Sequence, residues 1–238
     1  MKNKFLILSL VILTLLFTSV NLLAKEEETT LMADELVVDD IKSEIIAIGN
    51  VILNRDNSKL TSNKLTANQS LGEIKAIGEV ILIREDIKLS AQEMTGKEEL
   101  ERLVFTGGVV IEQQGRKIIG QKLTFNNKSN QGLLTGKPKM ESEGATITGD
   151  RFEFDLDTKK FFVYGGAHIV DESEGLMAEA EKLEYNDQSQ KVILTGNVYA
   201  KRGAQTVNAE QVSINLKTRK MVAKGKTKFV IPSDEKGD

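Results

Sequence analysis

"AIGNVILN", residues 47–54, and "LTGNVYAK", residues 194–201, are nearly the same phrase written 147 residues apart. The phrase marks a period. Glycines stand at 49, 78, 107, 136, 165, 196 and 225, in steps of 29, 29, 29, 29, 31 and 29 residues. Other columns keep the same step. Thirteen residues before each glycine stand Leu36, Leu65, Met94, Leu123, Phe152, Leu183 and Val212, all apolar. Sixteen before stand only small residues, and fifteen before only polar ones, from Asp34 to Glu210. Two after stand Val51, Val80, Val109, Pro138, Ala167, Val198 and Thr227. Seven repeats of one supersecondary unit account for such a ladder.

One repeat reads as two strands and two turns. Around the glycine the apolar positions alternate, as in Ile45, Ala47, Val51 and Leu53, which is the period of a strand with one buried face. The glycine falls on the inward parity of that strand. In the preceding strand the parity changes across the polar pair at offsets −15 and −14, so a bulge or corner is expected there. Turn residues follow at offset −10: Asp39, Asn68, Asn126, Asp155, Asn186 and Asn215. No stretch after the leader has a 3.6-residue period. The expected fold is all-β: an elongated antiparallel jellyroll of about seven 29-residue, two-strand repeats, with about 14 strands. Pro138 stands in "TGKPKM" where other repeats carry Val, and a strand must break or bulge there.

Composition narrows the function. The chain has 238 residues, 40% apolar and 5% aromatic, with no Trp, no Cys, a single histidine and a net charge of −3. That excludes thiol chemistry and Cys-rich zinc sites. Basic and acidic residues are interspersed, unlike a nucleic-acid-binding face. His168 sits on an outward position with no second histidine to share a metal. There is no nucleophile–base pair, phosphate loop or clustered carboxylate pair, so neither an enzyme nor a cofactor is expected. The central aromatics, Phe105, Phe125, Phe152, Phe154, Phe161, Phe162 and Tyr164, do not share one parity and cannot all point inward.

The ends address the protein. A basic start, the uncharged run 5–24 and then "KEEETT" read as an export signal ending at Ala24. The run is also just long enough for a retained membrane anchor, and both readings stand. Removing residues 1–24 takes away Lys2 and Lys4 and moves the net charge from −3 to −5. The organisation is then 1–24 leader, 25–30 polar linker, 31–233 repeat domain and 234–238 polar tail.

"LTGNVY" (194–199), "AIGNVIL" (47–53), the elements "ADEL" (33–36) and "SNKL" (62–65), and the closing "FVIPS" (229–233) resemble the OstA-like domain of LptA-type lipopolysaccharide-transport proteins. The resemblance implies a periplasmic jellyroll that shields acyl chains of lipopolysaccharide. It also implies end-to-end association through terminal strands, with related jellyrolls of the inner- and outer-membrane complexes or with further copies of itself. The lipid-lining candidates are the inward columns: Leu36, Val51, Leu65, Val80, Met94, Val109, Leu123, Phe152, Leu183, Val198 and Val212. Two alternatives remain: an inner-membrane-anchored relay component of the same pathway, and a closed structural β-repeat protein with no ligand. Lys224, Lys226 and Lys228 are expected to protect an edge strand, or else to meet lipid phosphate or an acidic partner.

Overall fold

The computed structural model describes residues 29–231, except 143 and 219. The proposed leader, most of the linker and the polar tail lie outside the described residues. Within them every element is a strand and every pairing is antiparallel. The chain divides between Gly136 and Lys137 into two compact units.

The N-terminal unit runs β1 (Thr30–Met32), β2 (Glu35–Asp39), β3 (Glu44–Arg55), β4 (Ser58–Asn68), β5 (Ile74–Arg84), β6 (Ile87–Lys97), β7 (Arg102–Gln113), β8 (Arg116–Asn126) and β9 (Gln131–Thr135). The C-terminal unit runs β10 (Lys139–Ser142), β11 (Ala145–Thr148), β12 (Arg151–Asp155), β13 (Lys160–Asp171), β14 (Leu176–Asn186), β15 (Lys191–Arg202), β16 (Gln205–Asn215), β17 (Lys220–Lys224) and β18 (Lys228–Val230). Three neighbouring pairs are halves of one strand interrupted at a corner, β1/β2, β11/β12 and β17/β18, and β9 and β10 together occupy one strand's place in the sequence repeat. The eighteen segments are therefore the 14 strands expected from two per repeat. The β9/β10 interruption spans Gly136–Pro138, where the missing proline N–H was expected to break pairing.

Two kinds of turn alternate. At one side of the N-terminal unit, tight two-residue turns join strands, with Asp56, Glu85 and Gln114 at positive φ, as hairpins with right-handed twist require. At the other side, longer turns are closed by the Asp and Asn residues at offset −10. The Asn68 side-chain oxygen accepts from the backbone N–H of Gly72 (2.9 Å) and Glu73 (3.0 Å). Asn126 accepts from Ser129 (2.7 Å), Asp155 from Thr158, Asn186 from Ser189 and Asn215 from Thr218 (each 2.8 Å). These residues turn the chain because a short carboxyl or amide can substitute for a backbone acceptor.

Midway along each strand lies the corner. Pairing is regular up to Ile48↔Lys64 and resumes at Val51↔Ser62, so Gly49 and Asn50 oppose Asn63 alone. The same step recurs between Ile77/Val80, Thr106/Val109, Tyr164/Ala167 and Thr195/Val198. The parity change expected in the partner strand is present: Leu60, Ser62, Leu65 and Ala67 are all buried. The extra residue, however, belongs to the glycine strand. Gly49 (φ 77°) and Asn50 (φ 46°) are both left-handed.

That corrects the placement of the glycine column. The glycines do not face the interior; each lies against the exposed polar residue fifteen positions earlier. A Cβ on Gly78 would stand 2.7 Å from Asn63 Nδ2, and one on Gly107 would stand 2.5 Å from the Gln92 Cβ. Gly49, Gly136, Gly165, Gly196 and Gly225 meet Asp34, Gln121, Asp150, Glu181 and Glu210 in the same way. A left-handed φ swings the missing side chain toward its polar neighbour, which explains why both columns repeat together.

Candidate functional site

The corner folds each strand so that its two halves cover one another. Residues on the inward parity are consequently sealed: Ala47, Leu65, Ala76, Val80 and Val109 in the N-terminal unit, and Val163, Ile169, Leu183 and Val192 in the C-terminal unit, are all 0% exposed. Of the eleven residues expected to line the interior, Val51, Leu65, Val80, Met94, Val109 and Leu123 are buried in the N-terminal unit, and Phe152, Leu183, Val198 and Val212 in the C-terminal unit. Each unit thus holds its own continuous apolar interior.

Leu36 departs from the expectation. Its register partner is Ala47, which places it on the expected face, yet it is 50% exposed. It belongs to β2, whose described partner is β3 alone, so nothing in the unit covers it. Its neighbours Met32, Val37, Val38 and Ile41 are exposed with it. The other end of the chain repeats the pattern: β17 and β18 pair with β16, and Val222, Phe229, Val230 and Ile231 are exposed. Both ends therefore carry half-strands with uncovered apolar side chains.

The aromatics divide by parity. Phe152 and Phe161 pack edge to face inside, with centroids 5.1 Å apart. Phe162 and Tyr164 stack on the outer face, where the Arg151 guanidinium lies 4.5 Å from the Tyr164 ring and Lys182 Nζ lies 4.8 Å from Phe162. His168 is also outward, with Nδ1 3.4 Å from Glu179 Oε1.

A further column was not read from the sequence, though its signal is there. Six residues after the first six glycines stand Arg55, Arg84, Gln113, Ser142, Asp171 and Arg202, all polar and all on the inward parity. They sit where strands reach the tight turns, at the lip of each interior. In the C-terminal unit these groups are satisfied locally. Asp171 is 2% exposed and accepts from Ser173 Oγ (2.6 Å), while Arg202 pairs with Glu174. The apolar residues beneath them are shut away: Ile147, Ile169, Ala178 and Val207 are 5%, 0%, 1% and 1% exposed.

In the N-terminal unit the lip differs. Leu53, Leu60 and Leu89 are buried, but Leu82, Ile111 and Ile118, on the same inward columns, are only half-buried. The apolar interior reaches solvent here. Across from the lip, the long turns bring Leu71 and Leu100 over the mouth, and a Cβ on buried Gly96 would stand 2.5 Å from Leu100 Cδ2. Arg55 spans the mouth, its Nη1 donating to the Leu71 carbonyl at 3.2 Å. This arrangement suits burial of an extended apolar ligand with a polar group left at the lip.

Comparison with known proteins places the chain in a family. The family described as "LptA/(LptD N-terminal domain) LPS transport protein" matches residues 30–160 and 177–234. Among solved structures, the chain is similar to LptH, the LptA-homologous periplasmic component of the lipopolysaccharide transport device of Pseudomonas aeruginosa. Identity is 11%, 87% of this chain and 97% of that one are covered, and the TM-score is 0.24. No curated protein matches. With most of its length inside the family match, the chain belongs to the LptA/LptD N-terminal-domain family of lipopolysaccharide-transport proteins, which carry lipid and are not enzymes.

Proposed function

We propose that the protein works in the periplasm as a lipid shield and bridge: acyl chains of lipopolysaccharide lie in its apolar interior, and its exposed end strands join it to related rolls or to further copies of itself. The observation that carries this is the interior itself. Leu65, Val80, Met94, Val109 and Leu123 form continuous buried columns that come to solvent at Leu82, Ile111 and Ile118. Each methylene moved from water into such a space contributes about 0.8 kcal/mol. The ends support bridging, because an unpaired strand edge with exposed apolar side chains is a template for β-augmentation.

Photocrosslinking in cells tests the shield. A photoreactive residue placed in turn at Leu65, Leu123 and Leu183 is expected to give lipopolysaccharide adducts, and one at exposed Lys226 to give none. Silence at all three inward positions, in protein shown to be folded and exported, overturns the reading and leaves a closed structural repeat. The sealed lip of the C-terminal unit favours that second reading locally, so an adduct at Leu123 without one at Leu183 would confine the lipid to the N-terminal unit. N-terminal sequencing of the mature protein separates the free bridge, starting at Lys25, from a membrane-anchored relay that keeps Met1.

A further inference from the structure

The tight-turn lip of the N-terminal unit carries arginines that its own structure leaves without carboxylate partners. Register places Arg55 opposite Ser58, Ser58 opposite Arg84, Arg84 opposite Ile87, Ile87 opposite Gln113 and Gln113 opposite Arg116. The three arginines therefore stand in one row across six consecutive strands. At about 4.8 Å per strand, Arg55 and Arg84 are roughly 10 Å apart and Arg84 and Arg116 roughly 14 Å along the sheet. All three lie on the inward parity, immediately above the half-buried Leu82, Ile111 and Ile118.

Among the described residues no carboxylate lies within ion-pair distance of Arg55, Arg84 or Arg116. Arg151 and Arg202, in the other unit, are paired with Glu153 and Glu174. The turn acids nearby do not serve. Asp86 accepts from Gln113 (3.2 Å) and Gln114 (2.6 Å), and Asp56 and Glu85 stand exposed at turn tips. Arg116 carries the sharpest sign. Its Nη1 is buried and has no hydrogen-bond acceptor. A guanidinium nitrogen withdrawn from water without an acceptor is costly, and a ligand that brings an acceptor would relieve that cost. Gln113, 5% exposed, stands beside it.

We propose that Arg55, Arg84 and Arg116 form a binding row for the phosphate groups of a lipid headgroup whose acyl chains occupy the interior below. The inference rests on the lipid-shield reading. A planar guanidinium fork matches phosphate oxygens in two-point contact, which a lysine cannot do. A row of three suits a headgroup bearing more than one phosphate. The same placement gives Arg55 a second part: its bond to the Leu71 carbonyl holds the mouth, and a phosphate competing for that guanidinium would release it.

The test measures binding to the full exported chain of two probes: a bisphosphorylated, hexa-acylated glucosamine disaccharide and the same molecule without phosphates. The wild type is expected to bind the phosphorylated probe about tenfold or more tightly than the other. The double variant R84Q/R116Q, which leaves the Arg55–Leu71 bond in place and has an unchanged circular-dichroism spectrum, is expected to lose most of that preference while binding the dephosphorylated probe within about twofold of wild type. R116K, which keeps the charge but not the fork, is expected to fall between. Equal binding of both probes by the wild type overturns the phosphate row and leaves the shield standing. Binding of neither overturns the shield itself. Competition by millimolar inorganic phosphate as effective as competition by the phosphorylated probe also overturns the proposal, because it would make the row a site for the free ion.

Discussion

Gly78 shows how much one residue decides. Its φ of +80° is easy for glycine and strained for any residue with a Cβ, at about 1–2 kcal/mol. The added carbon would also press on the Asn63 amide. Gly78→Ala is expected to destabilise the N-terminal unit by about 1–2 kcal/mol in urea unfolding, and Asn63→Gly in the same chain to recover only the part due to contact. A full recovery would mean the backbone is unstrained and the column exists for packing alone. Core positions behave differently. Leu65→Ala is expected to cost about 2–5 kcal/mol by cavity formation, whereas Leu36→Ala, half-exposed on β2, should cost well under that. The sequence places both leucines in one column because it records which face a residue occupies. It does not record whether another layer covers that face, and so Leu36 and Leu65 look alike until the strands are assembled. The glycine column misleads for a related reason. Parity counts residues, and two consecutive left-handed residues at Gly49 and Asn50 keep the count while turning the side-chain direction.

At the scale of elements, the two-strand repeat was legible because the rungs restate it: alternating apolar residues, a corner and, in all but the third repeat with its Lys97, an Asp or Asn at the turn. The interruptions were legible only where chemistry forces one, as at Pro138. Those at β1/β2 and β17/β18 arise from position, since an edge strand has one neighbour to hold it through the corner. Amide hydrogen exchange in dilute protein follows from this. Amides of β4–β7 and β14–β15, paired on both sides, are expected to exchange slowly. Those of β1, β2, β17 and β18, paired on one side, are expected to exchange many times faster. Comparable protection in the end strands of the dilute chain would contradict the edge assignment. Two arginines of the row were equally present in the sequence, Arg55 and Arg84 six residues after Gly49 and Gly78, with Arg116 just past the next turn, but a polar residue at a strand end reads as an ordinary turn flank. Only its register with half-buried Leu82, Ile111 and Ile118 gives it meaning.

For the whole molecule, the two ends differ in charge as well as in sequence. Among the described residues, the N-terminal end carries Asp34, Glu35, Asp39, Asp40 and Glu44 against Lys42, and the C-terminal strands and their turn carry Lys217, Lys220, Lys224, Lys226 and Lys228. Both expose apolar side chains, so shape and hydrophobicity alone would allow any end to meet any other. Charge selects. In the end-to-end association proposed above, like ends would repel and an N-terminal end would be attracted to the C-terminal end of the next copy, so the joint would be heterologous and able to propagate. Association measured by light scattering is therefore expected to rise with protein concentration at 0.1 M salt and to weaken at 1 M, where screening shortens from about 10 Å to about 3 Å. Charge reversal tests the direction of the joint. K224E/K226E/K228E makes both ends acidic, and D34K/E35K/D39K makes the N-terminal end basic to match its own C-terminal end. Each variant alone is expected to stay monomeric. Mixed, the two regain association, because every joint between unlike variants again brings an acidic end to a basic one. Self-association of either variant alone, at the concentration where the wild type associates, would mean that like ends pair and that charge does not set the direction.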